Sequence, residues 1–445
     1  MLNIQALLEG LNDPKADVRL KCLEGLIKNA AADGTGKPCR GSDVNNHIHT
    51  TYSFSPYSPA KAVWMAYNAG LCTAGIMDHD SISGAVEFIE AGKIAGVAAT
   101  IGAECRVDFS GTALAGRTIN NPDQASIAYV ALHGIPHNRI DDVKQYFKPF
   151  SLYRNIRNAE MVGKLNRIFS AYGVDLDFEK DVLPLSNYGE GGSVTERHIL
   201  YALSLKLIAF LGKGAALVEF LKSKLSLEIN AKTEGYLMDS LNPYYAYDLL
   251  GVLKSGLVER FYVAAALECP AVDDFIAFAK DIQAISAYAY LGDVEDSVTG
   301  DKKKQKFEDS YLEELFGIIR EKGFNAVTYM PSRNSGRQLE RIRGLCESHG
   351  FFQISGEDIN SPRQAFICEA MRKEEFKNLT DSAWALIGHE AASEKAGGGM
   401  FSPAAAAHYP DLGSRVGYYK ELGLKTALSP ETGGKIRESG VGPNV

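Results

Sequence analysis

Short apolar runs alternate with helix-period segments along residues 44–110. "VNNHIHT" is short and extended, whereas "LCTAGIMDH" and "VAATIGAECRVDF" are apolar stretches of strand length. Between these runs, Ser58 and Pro59 predict the start of a helix that ends at Gly70, and a second helix is predicted to end at Gly96. Such alternation is typical of a parallel sheet or barrel, whose working residues lie at the carboxyl ends of the strands.

The alternation is interrupted once and then returns. Helical periodicity dominates the middle of the chain, and "IQALLEGLNDPKADVRLKCLEGLIKNA" near the start predicts two short helices hinged at Asn-Asp-Pro. We therefore expect five parts, which are an N-terminal helical hairpin with its linker (1–43), a first α/β part (44–137), a helical insertion (138–266), a second α/β part (267–395) and a C-terminal tail (396–445).

Composition narrows the class of protein. The 445 residues are 45% hydrophobic and 23% charged, an ordinary balance for a soluble protein, and no stretch reaches the roughly 18 uninterrupted apolar residues of a membrane span. The start lacks the features of a signal peptide, and the seven cysteines form no CxxC pair, so we expect reduced thiols and a cytoplasmic location without membrane contact. The net charge of −8 argues against nucleic acid as a partner.

Imidazoles and carboxylates mark three successive strand ends. His47 and His49 point to the same face of an extended strand, the next strand ends in Asp78 and His79, and the third carries Glu104 just past an apolar run. Taken singly, one of His47 and His49 could be a structural histidine and the other a surface histidine. Asp78 and His79 could belong to a helix cap and a solvated turn, and Glu104 could be a solvated carboxylate at the edge of the sheet. Together they predict a site for a divalent ion such as Zn²⁺, Mn²⁺ or Fe²⁺.

The same residues resemble motifs of the PHP (polymerase and histidinol phosphatase) family of metal-dependent phosphoesterases. The resemblance covers roughly 44–110 and 270–360, and its fourth motif is partial. In chain order the motifs are HxHTxxS (His47, His49, Thr50, Ser53), Asp-His (Asp78, His79), Gly-x-Glu (Gly102, Glu104) and a closing "SGEDIN", which keeps Asp358 but has Asn360 where the family has histidine.

The resemblance implies a distorted, TIM-like (β/α)7 barrel with a cluster of divalent ions at its C-terminal face. It also implies hydrolysis of phosphate mono- or diesters by a metal-activated water, and here we expect one to three ions. The implied metal ligands are His47, His49, His79, Glu104, Asp358 and His133. Asp78, beside the metals, and His198 are predicted to act in catalysis, and the predicted substrate-binding residues are Arg197, Arg333, Asn360 and Tyr290.

Several positions depart from the family pattern. Phe54 stands close to an expected Asp or His, and Tyr288 or Tyr290 stands where a histidine ends a later strand. His133, or Tyr129 in a shifted register, is the nearest match to another expected histidine. These departures predict fewer tightly held ions than the family maximum. For His198, Arg197 and Arg333, ordinary helical or surface positions are the alternative.

The sequence therefore favours a metal-dependent phosphoesterase that hydrolyses a small phosphorylated substrate. One alternative is a degenerate barrel that binds metal or ligand without turnover, which the tyrosine and asparagine replacements would permit. A second is a metal-dependent nuclease, which would need a basic groove that the sequence does not show. The chain has no P-loop, no GxSxG and no Rossmann glycine pattern, so those enzyme classes are disfavoured.

Overall fold

The computed structural model describes residues 3–34, 42–294, 306–395 and 397–428, which form a mixed α/β structure around one seven-stranded sheet. The strands are β1 (Val44–Ile48), β2 (Thr73–His79), β3 (Ala98–Asp108), β4 (Ile127–His133), β5 (Ile285–Ala289), β6 (Ala326–Tyr329) and β7 (Phe352–Ser355). The α-helices are α1 (Ile4–Gly10), α2 (Ala16–Ala32), α3 (Pro59–Ala69), α4 (Ala85–Ala95), α5 (Ile140–Phe169), α6 (Glu196–Leu211), α7 (Ala215–Glu219), α8 (Ala231–Met238), α9 (Tyr245–Phe261), α10 (Val272–Asp281), α11 (Leu312–Lys322), α12 (Gly336–His349), α13 (Lys377–Ser393), α14 (Pro403–His408) and α15 (Leu412–Leu428).

The strands follow one another in chain order across a curled sheet. A parallel bridge between Ile48 and Ile359 joins the first strand to the segment after the last. The α/β class and the seven strands are confirmed, whereas the finer PHP-type barrel stays a prediction. The parallel pairing predicted within residues 44–110 is confirmed for β1, β2 and β3, whereas β4, outside that range, runs antiparallel to both β3 and β5. A loop without a crossover helix joins β3 to β4, and such a connection reverses the chain.

Local signals set the helices between the first strands. The Ser58 side chain accepts a hydrogen bond from the Lys61 N–H at 3.1 Å and caps α3. Gly70 and Gly96 end α3 and α4 in the left-handed conformation, with φ of 84° and 68°. Glycine adopts positive φ without a steric penalty, so the predicted helix ends are confirmed.

The N-terminal helices belong to the main core. Leu11 of the hairpin turn and Leu23 of α2 are buried with the residues of the α/β part. Arg19 and Glu87, both buried, form an ion pair between α2 and α4. The two predicted helices are therefore confirmed, and they pack on the outer helices of the sheet.

Helices α5 to α9 have a hydrophobic core of their own. It spans residues 161–261 and includes Leu165, Leu203 and Leu253, and among the described residues its one member from elsewhere is Phe54, from the loop after β1. The predicted boundaries at 138 and 266 stay predictions. No single helix in the described ranges is long and apolar enough to cross a membrane; the pair Glu196–Leu211 and Ala215–Lys224 reaches that length and composition only together, with a sharp bend between them.

Helix α13 closes the end of the sheet where the strands begin. The Ser382 hydroxyl donates to Gln353 O at 2.6 Å near the start of β7, and Glu390 Oε1 accepts from Ile101 N near the start of β3 at 2.8 Å. This end is therefore blocked. The opposite end, where the parallel strands finish, carries the predicted site.

Six cysteines lie among the described residues and are in two states, whereas Cys39 lies outside those residues. Five of them are free thiols among the described residues, namely Cys22, Cys105, Cys269, Cys346 and Cys368. Cys72 is instead disulfide-bonded, so the expectation of seven reduced thiols is wrong there. The predicted cytoplasmic location stays a prediction.

Candidate metal centre

His47 and His49 lie at the end of β1, and the segment after β7 is hydrogen-bonded to their backbone. The Ile359 N–H donates to His47 O and the His49 N–H donates to Ile359 O, each at 2.9 Å, so the bridge fixes both residues in extended backbone. Their ring centroids lie 5.1 Å apart, and the His49 ring stacks on His79 at 4.8 Å. The predicted convergence of the first two strand ends is confirmed.

Glu104 of β3 lies at the centre of these imidazoles. Its Oε1 is 3.2 Å from His49 Nε2 and 3.0 Å from His79 Nδ1, and its Oε2 is 3.5 Å from His47 Nε2. Burial alone would raise the pKa of the Glu104 carboxyl, but the neighbouring imidazoles hold it well below its usual value. The group is therefore a permanent anion at the base of the site.

Asp358 completes one side of the cluster. Its Oδ1 lies 3.3 Å from His49 Nε2. The Asn360 amide donates to both Asp358 oxygens, at 2.8 and 2.7 Å, and the Arg197 guanidinium donates to Asn360 Oδ1 at 2.6 Å. Asn360 and Arg197, both predicted to bind substrate, thus contact each other, and they connect α6 to the metal-ligand candidate Asp358.

Asp78 is directed at the loop after β1. Oδ1 accepts from the Thr50 N–H at 2.7 Å and from the Ser53 hydroxyl at 2.6 Å, and Oδ2 accepts from the Thr50 hydroxyl at 2.6 Å. Both Asp78 oxygens are thereby occupied, and the carboxylate has the contacts of a group that holds the loop in place. A direct catalytic role for Asp78 stays a prediction and gains no support from these bonds.

The same bonds assign the proton of His49. The Ser53 hydroxyl has one proton and donates it to Asp78, so its oxygen can only accept from His49 Nδ1, 3.2 Å away. Neutral His49 then carries its proton on Nδ1 and presents the Nε2 lone pair to the Glu104–Asp358 side. This tautomer is the one that a metal ligand at Nε2 requires.

Three buried imidazole nitrogens indicate whether the side chains of the site suit a bound cation. His47 Nδ1 and His133 Nε2 have no hydrogen-bond partner within the described ranges, and His49 Nε2 faces carboxylate oxygens of Glu104 and Asp358, at 3.2 and 3.3 Å. Burial, with His47 nearby, lowers the pKa of His133 to about 3 despite Glu104, so His133 is a neutral imidazole. Ligand atoms of His47, His49 and Glu104 all lie within 4.8 Å of one another. A divalent ion would satisfy nitrogens that are costly to leave buried and unpaired.

The register of β4 sets the depth of His133. His133 pairs with Gly102, and Glu104 pairs with Ala131, so His133 lies two residue pairs deeper in the sheet than Glu104. The sequence could not give this position, because it depends on β4 running antiparallel.

His198 is used as a helix cap. Its Nδ1 accepts from the Thr195 N–H at 3.0 Å in a capping box at the start of α6, and its ring lies edge-on to Phe54 at 5.0 Å. Burial, with Arg197 adjacent, lowers the pKa of His198 to about 3. The ring is therefore neutral near pH 7, with its proton on Nε2. The alternative of an exposed helical histidine is wrong, because His198 is buried.

The last two predicted substrate-binding residues, Tyr290 and Arg333, come after the later strands β5 and β6. The Tyr290 hydroxyl donates to Asp309 Oδ1 at 2.6 Å, which leaves its predicted contact with substrate without support. Tyr288 likewise donates to Glu308, at 3.2 Å. Arg333 is half-buried in the loop after β6, and its role stays a prediction.

Several solved structures have folds similar to that of this chain. No protein-family model and no curated protein matches the chain. An amidohydrolase from Chromobacterium violaceum is 15% identical, with a TM-score of 0.49, over 73% of this chain and 89% of its own. A protein from Bifidobacterium adolescentis, provisionally classed as a metal-dependent phosphoesterase, is 16% identical, with a TM-score of 0.48, over 75% and 95%. These neighbours are consistent with the resemblance to the PHP family, but at such scores they carry no argument about activity.

Proposed function

We propose that this protein is a metal-dependent hydrolase that cleaves a small phosphate ester. The observation that carries the proposal is the convergence of His47, His49 and Glu104, together with the buried nitrogens His47 Nδ1 and His133 Nε2, which lack hydrogen-bond partners among the described residues. A purely structural cluster would pair these nitrogens with donors or acceptors, as the fold does for His389, which bonds Gln283 O and the Met400 N–H.

The distances between the side chains indicate which residues would hold a metal ion. His47, His49 and Glu104 would hold the first ion, and His79 and Asp358, which contact Glu104 and His49, would extend the site. Imidazole with carboxylate suits Zn²⁺, Mn²⁺ or Fe²⁺, and a bound ion would supply an activated water and positive charge for the phosphate oxygens.

The protein's own groups prepare this site. The metal-free cluster binds protons, because the carboxylates of Asp358 and Glu104 outweigh burial and raise the pKa of His49 to about 10. An ion must therefore displace the His49 proton, while Ser53 and Asp78 keep the ring in its ligand orientation. Arg197 lies over the Phe54 ring at 5.0 Å and beside Asn360, where a guanidinium suits a phosphate oxygen.

The test combines metal analysis with an ester screen. Wild type and His49→Ala are purified, their Mn²⁺ and Zn²⁺ contents are counted, and phosphomonoesters and phosphodiesters are screened. Removal of outer-shell partners already costs roughly 10–100-fold in affinity, so loss of the ligand His49 is expected to weaken metal binding by more than about 100-fold and to abolish turnover. The exposed His408→Ala is the matched control and should change neither.

One observation favours a second candidate, a metal-binding protein without turnover. Asn360 directs its amide nitrogen, which cannot ligate a cation, at both Asp358 oxygens. Stoichiometric metal in the wild type, lost in His49→Ala, with no ester cleaved by either protein, would select this candidate. Absence of metal from both proteins would reject both candidates.

A further inference from the structure

Six charged side chains lie beside the metal centre and join it to the helical insertion. We call them the buried charge network, and they are Asp80, Arg106, Arg154, Arg157, Glu196 and Glu268. They come from the end of β2, from β3, from α5, from the start of α6 and from the segment after α9. Five have side chains no more than 5% exposed, and Glu196 is 20% exposed.

Asp80 is the member that touches the metal centre through the backbone. It directly follows His79, and its N–H donates to Glu104 O at 2.8 Å. Its φ is 47°, a left-handed conformation that a non-glycine residue adopts only at a steric cost. Such a conformation persists where surrounding contacts determine it, so the contacts of Asp80 are the cause to seek.

Arg154 of α5 supplies the decisive contact. Its Nη2 lies 2.5 Å from Asp80 Oδ2, with the two side chains 4% and 2% exposed, and its Nε lies 3.8 Å from Glu268 Oε1. Separation of this pair would leave the buried Asp80 carboxylate without its arginine partner in the protein interior. The Asp80 side chain is therefore held in one place, and its backbone with it.

We propose that Arg154 is a positioning residue that holds Asp80 in its left-handed turn and thereby directs His79 at Glu104. The His79 Nδ1 to Glu104 Oε1 distance of 3.0 Å is the geometry that this turn maintains. The inference rests on the proposed metal centre for its functional meaning, because His79 is one of the predicted ligands. The inference gives the helical insertion the role of holding a predicted metal ligand of the sheet in position.

Two double variants separate the backbone effect from loss of charge. Asp80→Ala/Arg154→Met and Asp80→Gly/Arg154→Met both remove the ion pair, but only alanine bears the steric cost of positive φ. Co²⁺ affinity is measured by calorimetry. We expect the Co²⁺ affinity of the glycine variant to lie within about threefold of the wild-type affinity. The alanine variant should bind Co²⁺ about tenfold more weakly than wild type, because a residue with a Cβ resists the left-handed conformation. Equal affinities for the two variants would overturn the proposal.

A metal-free readout and a matched control complete the test. In NMR spectra of ¹³C-histidine-labelled protein without metal, the His79 signal should shift or broaden in the alanine variant and stay in place in the glycine variant. An unchanged His79 signal in both variants would overturn the proposed positioning role of Arg154, even if no Co²⁺ binds. Wild type that binds no Co²⁺ rejects the metal centre instead. The control, Arg19→Met/Glu87→Gln, removes a distant buried ion pair and should lower the Tm without changing Co²⁺ affinity. Weaker binding in this control would attribute the effect to general destabilisation and overturn the proposal.

Discussion

Tyr288 and Tyr290 show how single side chains change the chemistry at the end of β5. Their hydroxyls donate to Glu308 and Asp309, and Glu308 Oε1 also accepts the Leu291 N–H at 2.9 Å. Glu308 is fully buried, and this burial raises its pKa from 4.5 to about 7, although backbone N–H groups oppose the shift. Of two tyrosines that stand where a site histidine was expected, Tyr288 thus donates to a carboxyl that is half-protonated near neutral pH, and Tyr290 donates to the neighbouring Asp309.

We predict that Glu308→Gln makes stability less dependent on pH. Between about pH 4.5 and 7 the folded protein binds more protons at Glu308 than the unfolded chain, so the wild-type free energy of unfolding falls as pH rises through this window. The glutamine variant lacks this loss and should be more stable than wild type by roughly 1–3 kcal/mol at pH 8, with little difference at pH 4.5. Urea unfolding at both pH values checks this, with the exposed Glu321→Gln as control. The same difference at both pH values would contradict the prediction.

Helices α13 and α15 pack with their backbones in close contact. A Cβ on Gly388 would overlap the carbonyl oxygen of Tyr419, and a Cβ on Gly423 would overlap that of Trp384. The segment beyond residue 396, predicted only as a tail, therefore contains a helix that packs on α13 and supports the blocked end of the sheet. Gly388 and Gly423 are therefore packing residues.

We predict that Gly388→Ala and Gly423→Ala each lower the free energy of unfolding by about 1–3 kcal/mol, because the added methyl forces the helices apart. Gly417→Ala is the matched control, because Gly417 lies on α15 with Gly423 and its Cβ would meet no atom within 4 Å. Alanine has the higher helix propensity, so the control should gain up to about 1 kcal/mol. Urea unfolding measures all three, and stabilisation by Gly388→Ala would contradict the close packing.

The main core and the core of the helical insertion are joined by charges. Glu268 pairs with Arg106 of β3 and, at 2.7 Å, with Arg157 of α5, and all three side chains are buried. At the opposite side of the site, Arg363 after β7 pairs with Asp248 of α9 at 2.7 Å. Ion pairs thus hold the insertion to the α/β part on both sides of the metal centre.

We predict that Glu268→Gln costs about 3–5 kcal/mol of stability, because it leaves arginines buried without their shared carboxylate. The control is Asp281→Asn, whose 71%-exposed carboxylate pairs with Arg139 and should cost less than about 1 kcal/mol. Chemical unfolding of both variants gives the comparison. Equal losses would show that the buried charge network contributes no more than a surface pair.

The sequence by itself determined the features that depend on neighbouring residues. Ser58 and Gly70 bound α3 because a cap and a left-handed glycine act within one helical turn. His47, His49 and Glu104 could be predicted at successive strand ends because strand alternation and the common edge of parallel strands are properties of the local pattern.

Only the tertiary structure decided how those residues are used. The reversed β4, the bond from Tyr290 to Asp309 and the pair of Asp80 with Arg154 all join segments or directions that no local pattern encodes. The pair of Asp80 with Arg154 spans 74 positions of the sequence. The physical reason is that a buried polar group takes the partner that packing brings to it, and packing is a property of the whole fold.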